Sequence, residues 1–173
     1  MKIAVLGYGT IGSGVVEVIR TNAKSIAKRA GEEVEVKYVL DLRDFPEDPV
    51  QEILVHDYNV IAEDEEVRVI VETMGGTKPA YDFVKTALLN GKSVCSSNKE
   101  LVAGHGAEWI QIARDKKVNF FFEASVGGGI PIIRPLNQCI TADEIQEING
   151  ILNGTTNFIL TKMAENGLAR VSR

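Results

Sequence analysis

Six residues near the start of the chain, Gly7-Tyr8-Gly9-Thr10-Ile11-Gly12, have a spacing that suits phosphate chemistry. They follow an apolar run at 2–6 and precede a stretch with helical periodicity. In such a strand–turn–helix the first glycine permits the tight turn and the second lets backbone approach a pyrophosphate. The third lets the helix pack close to the strand. The phosphates would then face a helix N-terminus, where backbone N–H groups and the helix dipole favour an anion. Outside that context the same letters are only a glycine-rich turn.

Other residues could complete a site. A ribose-reading acid is expected roughly 20 residues past the glycines for NAD, with a nearby arginine for NADP. Here the second apolar run is late and ends Leu40-Asp41-Leu42-Arg43-Asp44. Asp41 could accept from a ribose 2′-hydroxyl and Arg43 could pair with a 2′-phosphate, or both could cap a solvated strand end. The residue types leave NAD and NADP both open.

Lys99 follows Cys95-Ser96-Ser97-Asn98 at a strand end. An ammonium there could stabilise charge developing on a carbonyl oxygen, or simply sit on the surface at a helix start. Cys95, followed by small hydroxylated residues and Asn98, superficially resembles the nucleophile of phosphorylating aldehyde dehydrogenases. A cysteine at such a place is more often a small buried hydrophobe. His56 and His105 have no ligand partner at helical spacing and read as surface or helix-packing residues. Trp109, with Ile112 and Ala113, reads as core.

These residues need a scaffold that gathers them at one edge. Apolar runs at 2–6, 34–40, 67–71, 93–96 and 118–122 read as strands buried on both faces, as in a parallel sheet. Helical periodicity covers 10–30, 79–90 and 100–117, with Gly31 and Gly91 as stops. Residues 45–49 read as an exposed connection. Strand–helix alternation makes this an α/β, Rossmann-type doubly wound parallel sheet.

The pattern changes after Glu123. Pro131 is placed to start a helix, 144–152 alternates like a half-exposed strand, 153–157 is a polar turn and 158–165 begins a helix. The expected division is residues 1–125 as a nucleotide-binding domain and 126–173 as the incomplete start of an α+β substrate and dimerisation domain.

Bulk properties narrow the class. The 173 residues are 45% hydrophobic and 25% charged, with net charge −5, which argues against a nucleic-acid or anionic-membrane surface. Two cysteines, Cys95 and Cys139, form no metal or disulfide pattern. Neither a signal peptide nor a run of ~18 apolar residues is present, so the expectation is a cytoplasmic protein with a small-molecule substrate.

Five segments carry a resemblance: GYGTIGSG at 7–14, VETMGG at 71–76, NGKSVCSSNK at 90–99, EASVGGGIPII at 123–133 and GILNGTTNFIL at 150–160. As an ordered set they closely resemble homoserine dehydrogenase, to about Gly167; the last two are far more specific than the glycine loop. The resemblance implies reversible hydride transfer between NAD(P)H and L-aspartate 4-semialdehyde, giving L-homoserine, in threonine and methionine biosynthesis. It implies that Tyr8, Thr10 and Ile11 hold the dinucleotide and that Lys99 lies between nicotinamide and substrate. It further implies a sodium ion on the backbone carbonyls of Glu123, Val126, Gly128 and Ile130, and Gly154 and Thr155 beside the substrate. A homodimer is expected for the full-length family.

The match also has a departure. Family members continue into an acidic DPxxDxxG-like segment and a second lysine assigned as the acid/base. Neither occurs before Arg173, and residues 168–173 drift from the family pattern. The expectation is a truncated chain that binds dinucleotide with little turnover alone. A non-catalytic NAD(P)-binding module and a cysteine-acylating semialdehyde dehydrogenase are the alternatives.

Overall fold

A computed structural model describes residues 1–140, 142–151 and 153–166, and the chain divides into two units, Met1–Ile133 and Arg134–Arg173. The first is built on strand β1 (Lys2–Leu6), whose Ala4, Val5 and Leu6 are wholly buried. Side chains alternate across a strand, so Ala4 and Leu6 face one way and Ile3 and Val5 the other. Ala4 and Leu6 join a core with Ile61, Ile70, Val84, Leu88, Leu101 and Trp109, while Ile3 and Val5 join one with Val16, Val36, Val39 and Val50. Full burial of one such aliphatic side chain contributes about 1.5–3 kcal/mol. An apolar run without alternation is therefore what a strand between two cores requires.

The other strands are β2 (Glu35–Leu40), β3 (Leu54–Val55), β4 (Val67–Glu72), β5 (Ser93–Ser96) and β6 (Phe120–Phe121). They pair in the order β3-β2-β1-β4-β5-β6, all parallel. The register aligns Leu40, Leu6, Glu72 and Ser96 across four strands, so the chain leaves the sheet at one shared edge. The helices are α1 (Thr10–Thr21), α2 (Ala23–Ala30), α3 (Tyr58–Glu63), α4 (Ala80–Leu89), α5 (Lys99–Lys116) and α6 (Glu123–Val126). Val16 of α1 belongs to one core, while Ile61, Val84 and Leu101 of α3, α4 and α5 belong to the other. Helices thus cover both faces, and the connections change side between β1 and β4, where doubly wound sheets bind ligands. The expected fold class stands.

Several local expectations change. The helix at 10–30 is two helices, because at Asn22 the backbone leaves the helical region (φ −103°, ψ 19°) before the chain resumes. After residue 45 come a 3-10 turn at Pro49–Ile53, capped by the Asp48 carboxylate accepting from the Val50 N–H at 2.8 Å, and then β3 and α3. These are short elements whose pairing partners are distant, so local periodicity does not show them. Strand 118–122 shrinks to Phe120–Phe121. Trp109 is core, as expected, and wholly buried.

In the second unit, α7 (Ile133–Cys139) begins just after Pro131 and α8 is Gly154–Asn166. The alternating stretch at 144–152 is not a strand: Glu144–Ile151 pairs with no described strand, and Leu152 lies outside the described residues. Alternation gives a strand its face, but a strand still needs a ladder partner. The expected turn at 153–157 is instead the start of α8, where the Asn153 side chain accepts from the Thr156 N–H at 3.0 Å as an N-cap. Residues 168–173, the expected departure from the family pattern, also lie outside the described residues.

Candidate functional site

At the shared edge lies a cleft of about 460 Å³ lined by Gly7, Tyr8, Gly9, Asp41, Arg43, His56, Thr73 and Met74, among others. Its floor is the glycine turn. Gly7 adopts φ +94°, a left-handed conformation that side chains disfavour, and its N–H donates to the Leu40 carbonyl at 2.8 Å. Gly12 is fixed by packing: a Cβ there would stand 1.9 Å from the Gly7 carbonyl oxygen and 2.9 Å from Thr73 Oγ1. Thr73 closes the turn from β4, its hydroxyl shared between the Leu6 and Gly7 carbonyls at 3.0 Å each.

Gly9, by contrast, has nothing within 4 Å of a built Cβ. It is the N-cap of α1 and offers no side-chain cap. Among the described residues no acceptor is found for the first N–H groups of α1, on Thr10, Ile11 and Gly12, and Thr10 and Ile11 are exposed. That arrangement fits a phosphate group, as do an exposed Ile11 and a first turn without acidic residues. A dinucleotide pyrophosphate suits the cradle.

Asp41 and Arg43 meet in the wall. The Tyr8 N–H donates to Asp41 Oδ2 at 2.8 Å, and Arg43 donates to the same carboxylate from its backbone N–H at 3.0 Å, Nε at 2.9 Å and Nη2 at 3.0 Å. The Arg43 guanidinium, then its own backbone N–H and that of Tyr8, hold the Asp41 carboxyl far below the usual carboxylate range, against the opposing effect of burial. Arg43 Nη2 also donates to the Tyr8 carbonyl at 3.1 Å. Both ribose-end residues expected from the sequence are thus in one cluster with the glycine turn.

His56, read as a surface or helix-packing residue, is indeed exposed, and it also lines this wall. Its Nδ1 lies 2.6 Å from the Asp41 carbonyl oxygen and its Nε2 3.2 Å from Asp44 Oδ1. Both partners only accept, so a doubly protonated ring satisfies both. The hydrogen bond to the Asp41 backbone, then the Asp44 carboxylate, raise its pKa. No local spacing announces this, since the partners are 15 and 12 residues away.

A second network, also absent from the sequence reading, lies one strand further along. Glu72 is wholly buried at the end of β4. Its Oε1 accepts from the Met74 N–H at 2.8 Å and its Oε2 from the Ser96 hydroxyl at 2.5 Å. Burial pushes its carboxyl pKa up, opposed by the Ser96 and Met74 hydrogen bonds. Ser96 Oγ in turn accepts from the Asn98 N–H at 3.1 Å, and Asn98 Nδ2 donates to the Met74 and Gly76 carbonyls at 3.2 and 2.7 Å. The same Asn98 caps α5 by accepting from the Leu101 N–H at 3.2 Å. A single acid ending an apolar strand was the signal available.

Lys99, the first residue of α5, is therefore held at the sheet edge by Asn98. Its side chain is exposed, makes no hydrogen bond or ion pair with the described residues, and is not part of the cleft lining. Cys95 is half-buried, and burial followed by the Glu72 charge pushes its thiol up, which disfavours a thiolate nucleophile. The acylating role is not favoured. Glu123 and Val126 are in α6, and Gly128 follows at φ +59°. A Cβ on Gly127 would lie 2.2 Å from the Ile130 carbonyl oxygen, so this loop folds back on itself. Gly154 and Thr155 open α8 in the second unit. Among the described residues no helix is long and apolar enough to cross a membrane, and no histidine, cysteine and acid group forms a metal cluster.

Comparisons with known proteins agree with this geometry. Residues 7–123 match the family described as homoserine dehydrogenase, NAD binding domain, and residues 131–172 match the family described as homoserine dehydrogenase. The homoserine dehydrogenase of Pseudomonas aeruginosa is 40% identical over 168 residues, and that of Bacillus subtilis 39% identical over 166. The alignments cover 96% and 94% of this chain but 39% and 38% of those proteins, so the chain spans about two fifths of their length. The crystal structure of a homoserine dehydrogenase from Thiobacillus denitrificans aligns with TM-score 0.87 at 39% identity, covering 97% of this chain and 39% of that one. That of Staphylococcus aureus gives TM-score 0.76 at 39% identity, covering 97% and 42%.

Proposed function

The chain belongs to the homoserine dehydrogenase family, and from that premise we propose that it forms the dinucleotide-binding part of an enzyme interconverting L-aspartate 4-semialdehyde and L-homoserine. The observation that carries the reading is the contact of Gly12 against the Gly7 carbonyl, which leaves no room for a Cβ and brings α1 onto the sheet with its N–H groups bare. When bound, NAD or NADP would supply or accept the hydride.

The chain's own residues have distinct tasks in this reading. Gly7, Gly9 and the α1 N–H groups on Thr10 and Ile11 hold the pyrophosphate, with the Tyr8 backbone bonded to Asp41 beside them. Asp41 and Arg43 meet the adenosine ribose. Lys99 donates to the substrate oxygen as it gains negative charge, which lowers the barrier and can help deliver a proton. The carbonyls of Glu123, Val126, Gly128 and Ile130 would hold a sodium ion, a reading supported by the folded-back glycine loop and by the preference of hard cations for oxygen ligands. Gly154 and Thr155 approach the substrate in a homodimer of the full-length family. Free Cys95 and Cys139 are in keeping with a cytoplasmic setting.

Titration of the chain with NADH and NADPH, followed by nicotinamide fluorescence, tests this. Saturable binding that Gly9→Ala weakens is expected. Absence of binding by either form would remove the dinucleotide reading.

A further inference from the structure

The loop after β4 contributes Thr73, Met74 and Gly75 to the cleft wall. Among the described residues, every hydrogen bond of the stretch 74–76 runs to one of two side chains. Glu72 accepts from the Met74 N–H, and Asn98 Nδ2 donates to the Met74 and Gly76 carbonyls at 3.2 and 2.7 Å. Packing adds little at the glycines, since a Cβ built on Gly75 or Gly76 would meet nothing within 4 Å.

Asn98 meanwhile caps α5 through its side-chain oxygen, which accepts from the Leu101 N–H. Capping alone does not call for asparagine, because serine and aspartate cap about as well. Neither of them can also give two N–H donors: a hydroxyl has one donor and a carboxylate none. The identity of residue 98 is therefore set by the loop as much as by the helix. Lys99 follows directly as the first residue of α5, so the same amide fixes where its side chain starts.

We propose that Asn98 is a positioning residue, whose one amide sets both the cofactor-facing loop and the helix start that presents Lys99, so that a seated dinucleotide orders Lys99 before substrate arrives. This rests on the dinucleotide and Lys99 readings above and deepens them. Cofactor lying against the loop restrains the Met74 and Gly76 carbonyls, and these restrain the amide that holds the first turn of α5. The coupling is reciprocal: an ordered helix start favours the loop that the dinucleotide needs. The backbone of Asn98 is tied separately, through Ser96 to Glu72, so exchanging its side chain removes the amide link and leaves that route in place.

The test uses the 173-residue chain, Asn98→Ser and Asn98→Asp, titrated with whichever of NADH and NADPH the unsubstituted chain binds more tightly. Amide hydrogen exchange is read by mass spectrometry on segments 73–78 and 97–103, with and without that ligand. Circular dichroism and urea midpoints report folding. Ala113→Gly, a destabilising change near the far end of α5, controls for stability alone.

In the unsubstituted chain the ligand should slow exchange in both segments, which tests the coupling whether or not a variant folds. Each Asn98 variant should weaken binding by about fivefold or more, and the slowing should persist at 73–78 and vanish at 97–103. Ala113→Gly should lower the urea midpoint and leave affinity and protection unmoved. Ligand bound without slowing at 97–103, slowing there that survives in the Asn98 variants, unchanged affinity in those variants, or an affinity loss matched by Ala113→Gly would each overturn the positioning role. An unsubstituted chain that binds neither dinucleotide would instead refute the dinucleotide reading, and the positioning role with it.

Discussion

The Ser96 hydroxyl donates to the buried Glu72 carboxylate at 2.5 Å, joining the last residues of two neighbouring strands. Through Met74 on one side and Asn98 on the other, that bond ties the loop lining the cleft to the cap of the helix that begins with Lys99. Two segments, about 25 residues apart in sequence, thereby share one anchor.

Glu72→Ala should be costly, because it strands the Met74 N–H and the Ser96 hydroxyl in a buried site. A loss of about 1–3 kcal/mol is expected from each unsatisfied group. Glu72→Gln keeps one acceptor and should recover much of that loss. Burial raises the Glu72 pKa in the fold above its ordinary 4.5, so its favourable contribution is complete below that value and is lost as the pH rises through the raised one. Urea midpoints measured across the acid-to-neutral range should show the parent losing ground to Glu72→Gln as pH increases. A constant difference between the two would contradict the assignment.

Gly12 and Gly9 should separate stability from binding. Gly12→Ala drives a methyl into the Gly7 carbonyl and should destabilise the chain by about 1–3 kcal/mol. Gly9→Ala meets nothing within 4 Å and should leave the unfolding midpoint nearly unchanged while lowering dinucleotide affinity. Chemical denaturation and ligand titration on the same two variants read the two effects.

The contrast between these sites shows what the sequence could disclose. The glycine turn was legible because its constraint is local: Gly7 and Gly12 are five residues apart and answer to one another's backbone. Asp41 and Arg43 were legible as candidates, but their closing of one carboxylate was not, since Tyr8 supplies a donor from 33 residues away. Glu72 and His56 gain their meaning from partners 24, 15 and 12 residues distant, which no periodicity records. The stretch at 144–152 failed in the other direction: it had a strand's alternation without a described strand beside it.

His56 should impart a pH dependence near neutrality. The Asp41 carbonyl and the Asp44 carboxylate raise its pKa above the ordinary 6.5, so the charged ring stabilises the fold fully below that value. The benefit disappears as the pH rises through the raised value. Thermal midpoints of the chain and of His56→Ala should differ most under mildly acidic conditions and converge in alkali. A difference independent of pH would count against the charged ring.

Thiol labelling should rank the two cysteines. Cys139 is exposed, whereas Cys95 is half-buried with its thiolate disfavoured by burial and by Glu72. At neutral pH, alkylation mapped by mass spectrometry should modify Cys139 first, and Cys95→Ser should retain dinucleotide affinity. Faster reaction at Cys95 would revive a nucleophilic role.

The strand order also governs the sequence of events when the chain is made. β1 is synthesised first, yet it pairs on one side with β2 at 35–40 and on the other with β4 at 67–72. At about 5–20 residues per second, its second neighbour arrives on the order of seconds later. Until then Lys2–Leu6, whose Ala4, Val5 and Leu6 end wholly buried, has an open edge, and a ribosome that pauses before residue 67 leaves that edge available to the wrong partner.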